Sequence, residues 1–501
     1  MDHVAPAQGG VVEVDDRQLL KLLHWYDGFV VCLANPGFLI ASLGASIGSL
    51  GAWGAFALWT ASMLIAVVQN KVYTEPATMF PDRAGGIPIY AHEGWRRYFT
   101  LAGPMAALGY WAGWTVVLAI NGLVIGGLIH AQWFADATWE TSILGVTLTF
   151  PRVVAIVLIV AVWVLNTLGV KPAVWVAYVT GALLLIPLVL FMFVPYLTGD
   201  FHGSNLTWEI DAAGTTWDSW RLALVWLYLM AWSSYGVEAA ATFAPEYKDS
   251  ERDTALALRR SAMFSLVVYA LLPIGVGGVL PGSEIAKGAL DYTFYVTELN
   301  QIVGVGANLV IPLLIAAFIL AMNTATMDGS RALYGISKSG MTVRWLGHLN
   351  RFHVPARAMT VDMVVNVVAV LVLNSTIAIL AASNLGYVLC HVFALSAILL
   401  LRRDRPDWPR PLRLAPVWLY AAGILAVVNL VFLLIGAPSF ELTGYGSFKE
   451  LLIGIVTLVV AILLYVYRRV VEDKLPFRLQ DNTPAVPAQA DRSATEAAPP
   501  S

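Results

Sequence analysis

Two short strings in this 501-residue chain place ligand-binding groups inside runs that otherwise read as apolar helix. One is LMAWSSYGVEAAATFAPE, which holds Ser233, Ser234, Tyr235, Gly236 and the ionisable Glu238. The other is CLANPGFLIASLG, with Asn35, Pro36, Gly37 and Phe38. A carboxylate at membrane depth costs about 2.5 to 3.5 kcal/mol on insertion scales, so Glu238 points to a site. Proline removes a helical donor and clashes one turn back, and glycine adds backbone freedom. The chemistry this suits is recognition rather than bond making. Interrupted helices offer N–H groups and a positive dipole end to a carboxylate, and freed carbonyls to an ammonium, which together fit a zwitterion. Alternatives stand beside each reading. Asn35-Pro36-Gly37 also describes a simple proline kink, Ser233, Ser234 and Gly236 also suit close helix packing, and Glu238 is either a proton carrier or a structural acceptor. No Walker string, catalytic carboxylate pair or zinc spacing occurs, so no enzyme activity, cofactor or metal is expected. Cys32 and Cys390 are too few for a disulfide framework and read as buried small hydrophobes.

The elements that must position these groups follow from composition. Charged residues make up 13% of the chain and hydrophobic ones 58%, against about 25% charged in soluble domains. A net charge of -3 leaves no basic footprint for nucleic acid. Apolar stretches long enough to cross a bilayer, about 20 helical residues each, recur twelve times: 27 to 48, 51 to 73, 101 to 130, 152 to 168, 172 to 197, 221 to 243, 261 to 281, 305 to 335, 358 to 374, 377 to 401, 414 to 437 and 447 to 467. With the N-terminus inside, all but Arg152, Arg221, Lys287 and Lys449 of the 30 Lys and Arg residues fall on the cytoplasmic side, as flanking basic residues should. Both termini are therefore expected in the cytoplasm, with residues 1–20 and 471–501 as disordered tails rich in polar groups or Ala and Pro.

The strings lie in spans 1 and 6, which open two five-helix halves. An odd count inverts one half relative to the other, and interruptions at corresponding places mark a midplane site in transporters built this way. Further strings carry a family likeness. TEPATMFPDRAGGIPIY supplies Glu75, Phe80, Pro81, Gly85, Gly86 and Tyr90; MDGSRALYGISKSG supplies Ser330, Arg331, Tyr334 and Gly340; and LLLRRDRPDWPRPLRL supplies paired arginines and Arg-Pro. With AWSSYGVEAAATFAPEYKDSERD, in this order and spacing, they resemble the amino acid/polyamine/organocation superfamily of secondary transporters over nearly the whole chain.

That resemblance implies an all-α integral membrane protein of twelve transmembrane helices, with a leucine-transporter-type five-plus-five inverted repeat, helices 1 and 6 broken, and two further C-terminal helices. The repeats are expected at residues 21–200 and 201–403, and the last two helices at 404–470. The resemblance places substrate among helices 1, 3, 6, 8 and 10, with Trp232 as a gate and Trp111, Gly113 and Trp114 on the helix 3 wall. Two departures stand out. Many members have a Gly-Ser-Gly run where this chain has Asn35-Pro36-Gly37, and some proton-coupled members carry a helix 5 lysine where Leu184 precedes Pro187. Local pairs are expected between Asp328 and Arg331 and between Glu75 and Lys71 near a gate, while Asp362, Asn366, Asn384 and His391 read as satisfied interior groups. The expected function is alternating-access transport of amino acids across the plasma membrane, as a proton-coupled symporter or an exchanger, with a proton or sodium ion as possible co-substrate. An amine or polyamine carrier is the alternative, and an intramembrane enzyme or channel a distant one.

Overall fold

The computed structural model describes residues 18–143, 146–289, 292–304, 307–372, 376–443 and 448–482. The tails expected at 1–20 and 471–501 fall mostly outside these. The chain is built from helices, α1 (Trp25–Cys32), α2 (Ala34–Met79), α3 (Ile87–Trp95), α4 (Ala102–Thr115), α5 (Val117–Trp133), α6 (Phe150–Thr167), α7 (Val170–Thr198), α8 (Thr216–Ser234), α9 (Ser250–Val279), α10 (Gly282–Lys287), α11 (Thr293–Val303), α12 (Ala307–Lys338), α13 (Ala356–Val372), α14 (Thr376–Asp404), α15 (Pro416–Val431) and α16 (Phe448–Tyr467). One hairpin, β1 (Glu140–Ile143) with β2 (Val146–Thr149), joins α5 to α6.

Among the described residues, nine helical stretches are long and apolar enough to cross a membrane. The first, Trp25–Met79, contains the two spans separated in the sequence near residue 50. Its bend lies at Gly51, whose φ of 72° and ψ of 163° suit glycine almost alone. A Cβ there would also strike the backbone of Thr207. Helices α8 and α13 occupy the sixth and ninth sequence spans but fall outside the nine stretches. α8 begins at a reciprocal cap, with Thr215 Oγ1 accepting from Asp218 N and the Asp218 carboxylate accepting from Thr215 N, both at 3.2 Å.

The packing divides the helices into an inner and an outer set. α2 packs on α9, α4 on α14, and α12 on α7. On α6, α7, α15 and α16, large apolar side chains face outward, among them Val157, Val164, Trp175, Val189, Tyr420, Ile424, Val456 and Leu463. An apolar belt of that extent on several helices requires lipid around it. The chain is a multi-pass membrane protein.

Candidate functional site

The site begins at the interruption between α1 and α2. Pro36 has no N–H to give the carbonyl of Cys32 one turn earlier, and the regular α-helical pattern is interrupted by a single turn at Leu33, whose backbone stays helical at φ -61° and ψ -12°. Asn35, Pro36 and Gly37 therefore stand in the first turn of α2, where proline is tolerated because first-turn N–H groups lack helical acceptors. The second interruption follows α8. Regular α-helix ends at Ser234, and residues Tyr235–Ala241 continue as a tighter 3-10 segment. Glu238 sits in that segment, past the helix end, rather than inside a continuous helix.

The two interruptions touch. Asn35 Nδ2 donates to the carbonyl of Ser234 at 3.4 Å, and Cys32 Sγ lies 3.6 Å from the carbonyl of Val237. Gly236 permits this approach, since a Cβ there would lie 2.7 Å from Asn35 Oδ1 and 3.4 Å from the Trp114 ring. Gly236→Ala is accordingly expected to push the interruptions apart and destabilise the folded protein by about 1 to 3 kcal/mol, read as thermal unfolding in detergent. An unfolding temperature equal to that of the parent would show that the contact is dispensable.

Beside this contact, Phe38, Gly113, Trp114, Val117, Trp232 and Tyr387 converge from α2, α4, α5, α8 and α14. All six are buried, and they leave no water-sized room between them. The Phe38 ring packs 5.3 Å from Trp232 and 5.7 Å from Trp114, centroid to centroid. Trp232 Nε1 donates to the carbonyl of Gly113 at 2.7 Å, which bolts α8 to α4. Glu238 lies directly behind this wall. Its Oε1 accepts from Tyr387 OH at 2.5 Å and from Trp114 Nε1 at 3.3 Å, while its Oε2 has no hydrogen-bond partner among the described residues. Glu238 thus orients two of the wall's aromatic rings.

The other sequence candidates turn elsewhere. Ser233 Oγ pairs with Tyr269 OH at 2.7 Å, and Ser234 Oγ pairs with Ser62 Oγ at 2.6 Å and donates to the Met230 carbonyl at 3.0 Å. Tyr235 packs edge-on against His391, with centroids 4.8 Å apart. Gly37 faces α12, where a Cβ would lie 3.3 Å from the carbonyl of Ala317. Trp111 points away from the wall and donates to Asp362 at 2.5 Å. Asn366 is satisfied by the backbone N–H of Ala119, by Thr115 and by the Asp362 carbonyl, Asn384 donates to the Tyr228 carbonyl, and His391 pairs with Tyr73. Tyr387 and Val117 escaped the sequence reading because an uncharged residue in an apolar span carries no signal.

Both expected local ion pairs are replaced by distant ones. Arg331 forks onto the carboxylate of Glu246, with its Nη2 3.0 Å from Oε2 and both side chains buried. Asp328 instead accepts from Thr242 Oγ1 at 2.6 Å and Tyr110 OH at 3.3 Å. Glu75 is gripped by Arg402 Nε and Nη2 at 2.5 Å each, and its Oε2 accepts from Leu414 N at 2.9 Å. Lys71 lies over the Trp418 ring. A planar guanidinium matches a carboxylate in two places at once, a geometry that lysine lacks.

Two larger cavities flank the closed wall. One, of about 1170 Å³, lies where Leu19, Arg83, Arg96 and Lys338 meet the segment around Asp481. The other, of about 740 Å³, lies at the far end of the same helices, by Ser49, Asn205, Glu209 and Glu441.

Residues 29–462 match the family described as amino acid permease. Among similar proteins, the glutamate/serine transporter AimA of Bacillus subtilis (strain 168) is 24% identical over 405 residues, which covers 75% of this chain and 72% of the relative. An uncharacterized transporter of Mycobacterium tuberculosis (strain ATCC 25618 / H37Rv) is 26% identical over 431 residues, covering 83% and 87%. The amino-acid permease RocE of Bacillus subtilis (strain 168) is 22% identical over 359 residues, covering 70% and 72%.

Proposed function

Since the chain belongs to the amino acid permease family, we propose that it is a secondary active transporter that carries amino acids across the plasma membrane by alternating access. The observation that carries this reading is the aromatic wall at the meeting of two interrupted helices, closed to water and flanked by a cavity at either end. The accompanying architecture is twelve spans with both termini cytoplasmic, the repeats at 21–200 and 201–403 inverted about the site, and 404–470 as an addition.

Substrate enters as Trp232 releases the Gly113 carbonyl and the rings of Phe38, Trp114 and Tyr387 part. The substrate ammonium then meets the Asn35 side-chain oxygen and the carbonyl at Ser234, since the Ser234 hydroxyl is already engaged with Ser62 and Met230. Its carboxylate meets the first-turn N–H groups near Gly37 and those beside Gly236. The aromatic rings receive the side chain. Tilting of the two halves then exchanges one flanking cavity for the other. Glu238, one layer behind, is the coupling group. Cytoplasmic closure falls to the buried Arg331–Glu246 pair and to the pairing of Leu23 with Tyr247 and its neighbours, where Leu23 N donates to the Glu246 carbonyl at 2.9 Å and Lys248 N to the Leu23 carbonyl at 2.8 Å.

A second reading is favoured by one observation. Four aromatic side chains with a carboxylate behind them also suit an organic cation. Uptake into proteoliposomes, with serine, glutamate and alanine competing against ethanolamine-type amines, separates the two. The name of one relative places serine and glutamate first in the panel. Competition by amino acids alone supports the main reading, competition by amines alone supports the second, and uptake of neither class sinks both. Imposed proton and sodium gradients in the same vesicles identify the coupling ion.

A further inference from the structure

Tyr269 lies on α9, outside both interrupted helices, and is fully buried. Its hydroxyl oxygen stands 2.9 Å from the carbonyl of Asn35, 3.1 Å from the carbonyl of Ser233 and 2.7 Å from Ser233 Oγ. Asn35 is in the first turn after the α1–α2 interruption, and Ser233 is in the last turn of α8. The last carbonyls of a helix have no donor within it. A single phenol from a third helix thus touches a terminal carbonyl at Ser233 and a first-turn carbonyl at Asn35, one at each interruption. Its ring is held by Trp59 of α2, edge-on with centroids 5.5 Å apart, and the Trp59 indole is fixed in turn by Ser46 Oγ at 2.9 Å. Phenol and indole together form a rigid post planted between the moving parts.

From this geometry we infer that Tyr269 is a positioning residue for transport, a tie that holds the two interruptions together in the closed conformation and exchanges its hydrogen bonds as they separate. A phenol has one proton and two lone pairs. Ser233 Oγ can donate to Tyr269 while Tyr269 donates to one of the two carbonyls. When the interruptions part, the phenol keeps a partner on whichever side it follows, and the opposite carbonyl is exposed to incoming substrate or water. The tie therefore sets the cost of leaving the closed state without touching substrate. It is absent from the aromatic wall formed by Phe38, Trp114, Trp232 and Tyr387. This inference rests on the proposed transport by alternating access.

The test is Tyr269→Phe, which keeps the ring against Trp59 and removes only the hydroxyl. One net hydrogen bond corresponds to about a three- to tenfold change in a conformational equilibrium. The maximal uptake rate per folded transporter in proteoliposomes is expected to change by that factor, with KM changed less than about twofold. Amide hydrogen exchange of residues 34–39 and 233–240 is expected to accelerate, because both interruptions open more often. Combining Tyr269→Phe with Ser233→Ala should add nothing to Tyr269→Phe alone, since the serine hydroxyl works through the phenol. An unchanged rate and unchanged exchange would overturn the tie. So would loss of folded protein with the rate per folded molecule intact, or additive effects in the double variant. If the unaltered protein takes up no amino acid or amine, the transport reading fails by itself, and the exchange measurement still decides whether Tyr269 joins the two interruptions.

Discussion

Replacing Glu75 with glutamine is expected to destabilise the protein by about 3 to 5 kcal/mol, the cost of breaking a buried ion pair from one side. The side chain of Glu75 is 1% exposed, and those of its partners Arg402 and Arg410 are 14% and 6% exposed. Arg402 approaches both carboxylate oxygens, Arg410 Nε lies 3.4 Å from Oε1, and the Leu414 N–H donates to Oε2. Glutamine keeps an oxygen for Leu414 but leaves two guanidinium groups without a counter-charge. The damage is spread along the chain, because the carboxylate on α2 fastens the end of α14 and the segment leading into α15. Thermal unfolding in detergent, compared with the parent and with Lys71→Gln, measures it. The Lys71 ammonium lies over the Trp418 ring and, among the described residues, forms no ion pair with Glu75, so Lys71→Gln should change stability by less than about 1 kcal/mol. Equal effects of the two substitutions would show that the pairs of Glu75 with Arg402 and Arg410 add no measurable stability.

This contrast also shows what was legible in the sequence. Pro36 and Glu238 stood out because each breaks a rule that an apolar helix otherwise obeys: one lacks a donor and the other carries a charge. The pairing of Glu75 was misread because spacing along one helix suggests only local partners, and Lys71 is four residues away while Arg402 is 327. Arg331 repeats the lesson, passing over Asp328 on its own helix for Glu246 on the segment after α8. Fork-shaped recognition of a carboxylate outweighs a helical i,i+3 contact worth only tenths of a kcal/mol. Rotation about the helix axis was equally hidden. Ser233 and Ser234 are one residue apart, hence about 100° apart around a helix, and they turn to α9 and to α2 respectively. Neither hydroxyl reaches the aromatic wall. Tyr387 and Tyr269 had no sequence signal, since a tyrosine in an apolar span is unremarkable until its hydroxyl is seen against Glu238 or against the two interruptions.

Glu238 gives the second large effect, and two substitutions separate its roles. In Glu238→Gln the side-chain oxygen still accepts from Tyr387 OH and Trp114 Nε1, so the wall keeps its shape. Binding should stay within about threefold of the parent, while any dependence of uptake on an imposed proton gradient disappears. In Glu238→Ala both donors lose their acceptor in a fully buried place. Two unsatisfied donors cost about 1 to 3 kcal/mol each, and the rings that form the wall lose their anchor, so KM should rise more than about tenfold. The comparison isolates geometry from charge, because glutamine differs from glutamate in its ability to exchange a proton and alanine differs in everything. Initial uptake rates against substrate concentration, with and without an imposed proton gradient, give both quantities. If glutamine and alanine raise KM alike, Glu238 does not orient the wall through Tyr387 and Trp114; if glutamine leaves the parent's response to a proton gradient unchanged, Glu238 is not a proton carrier.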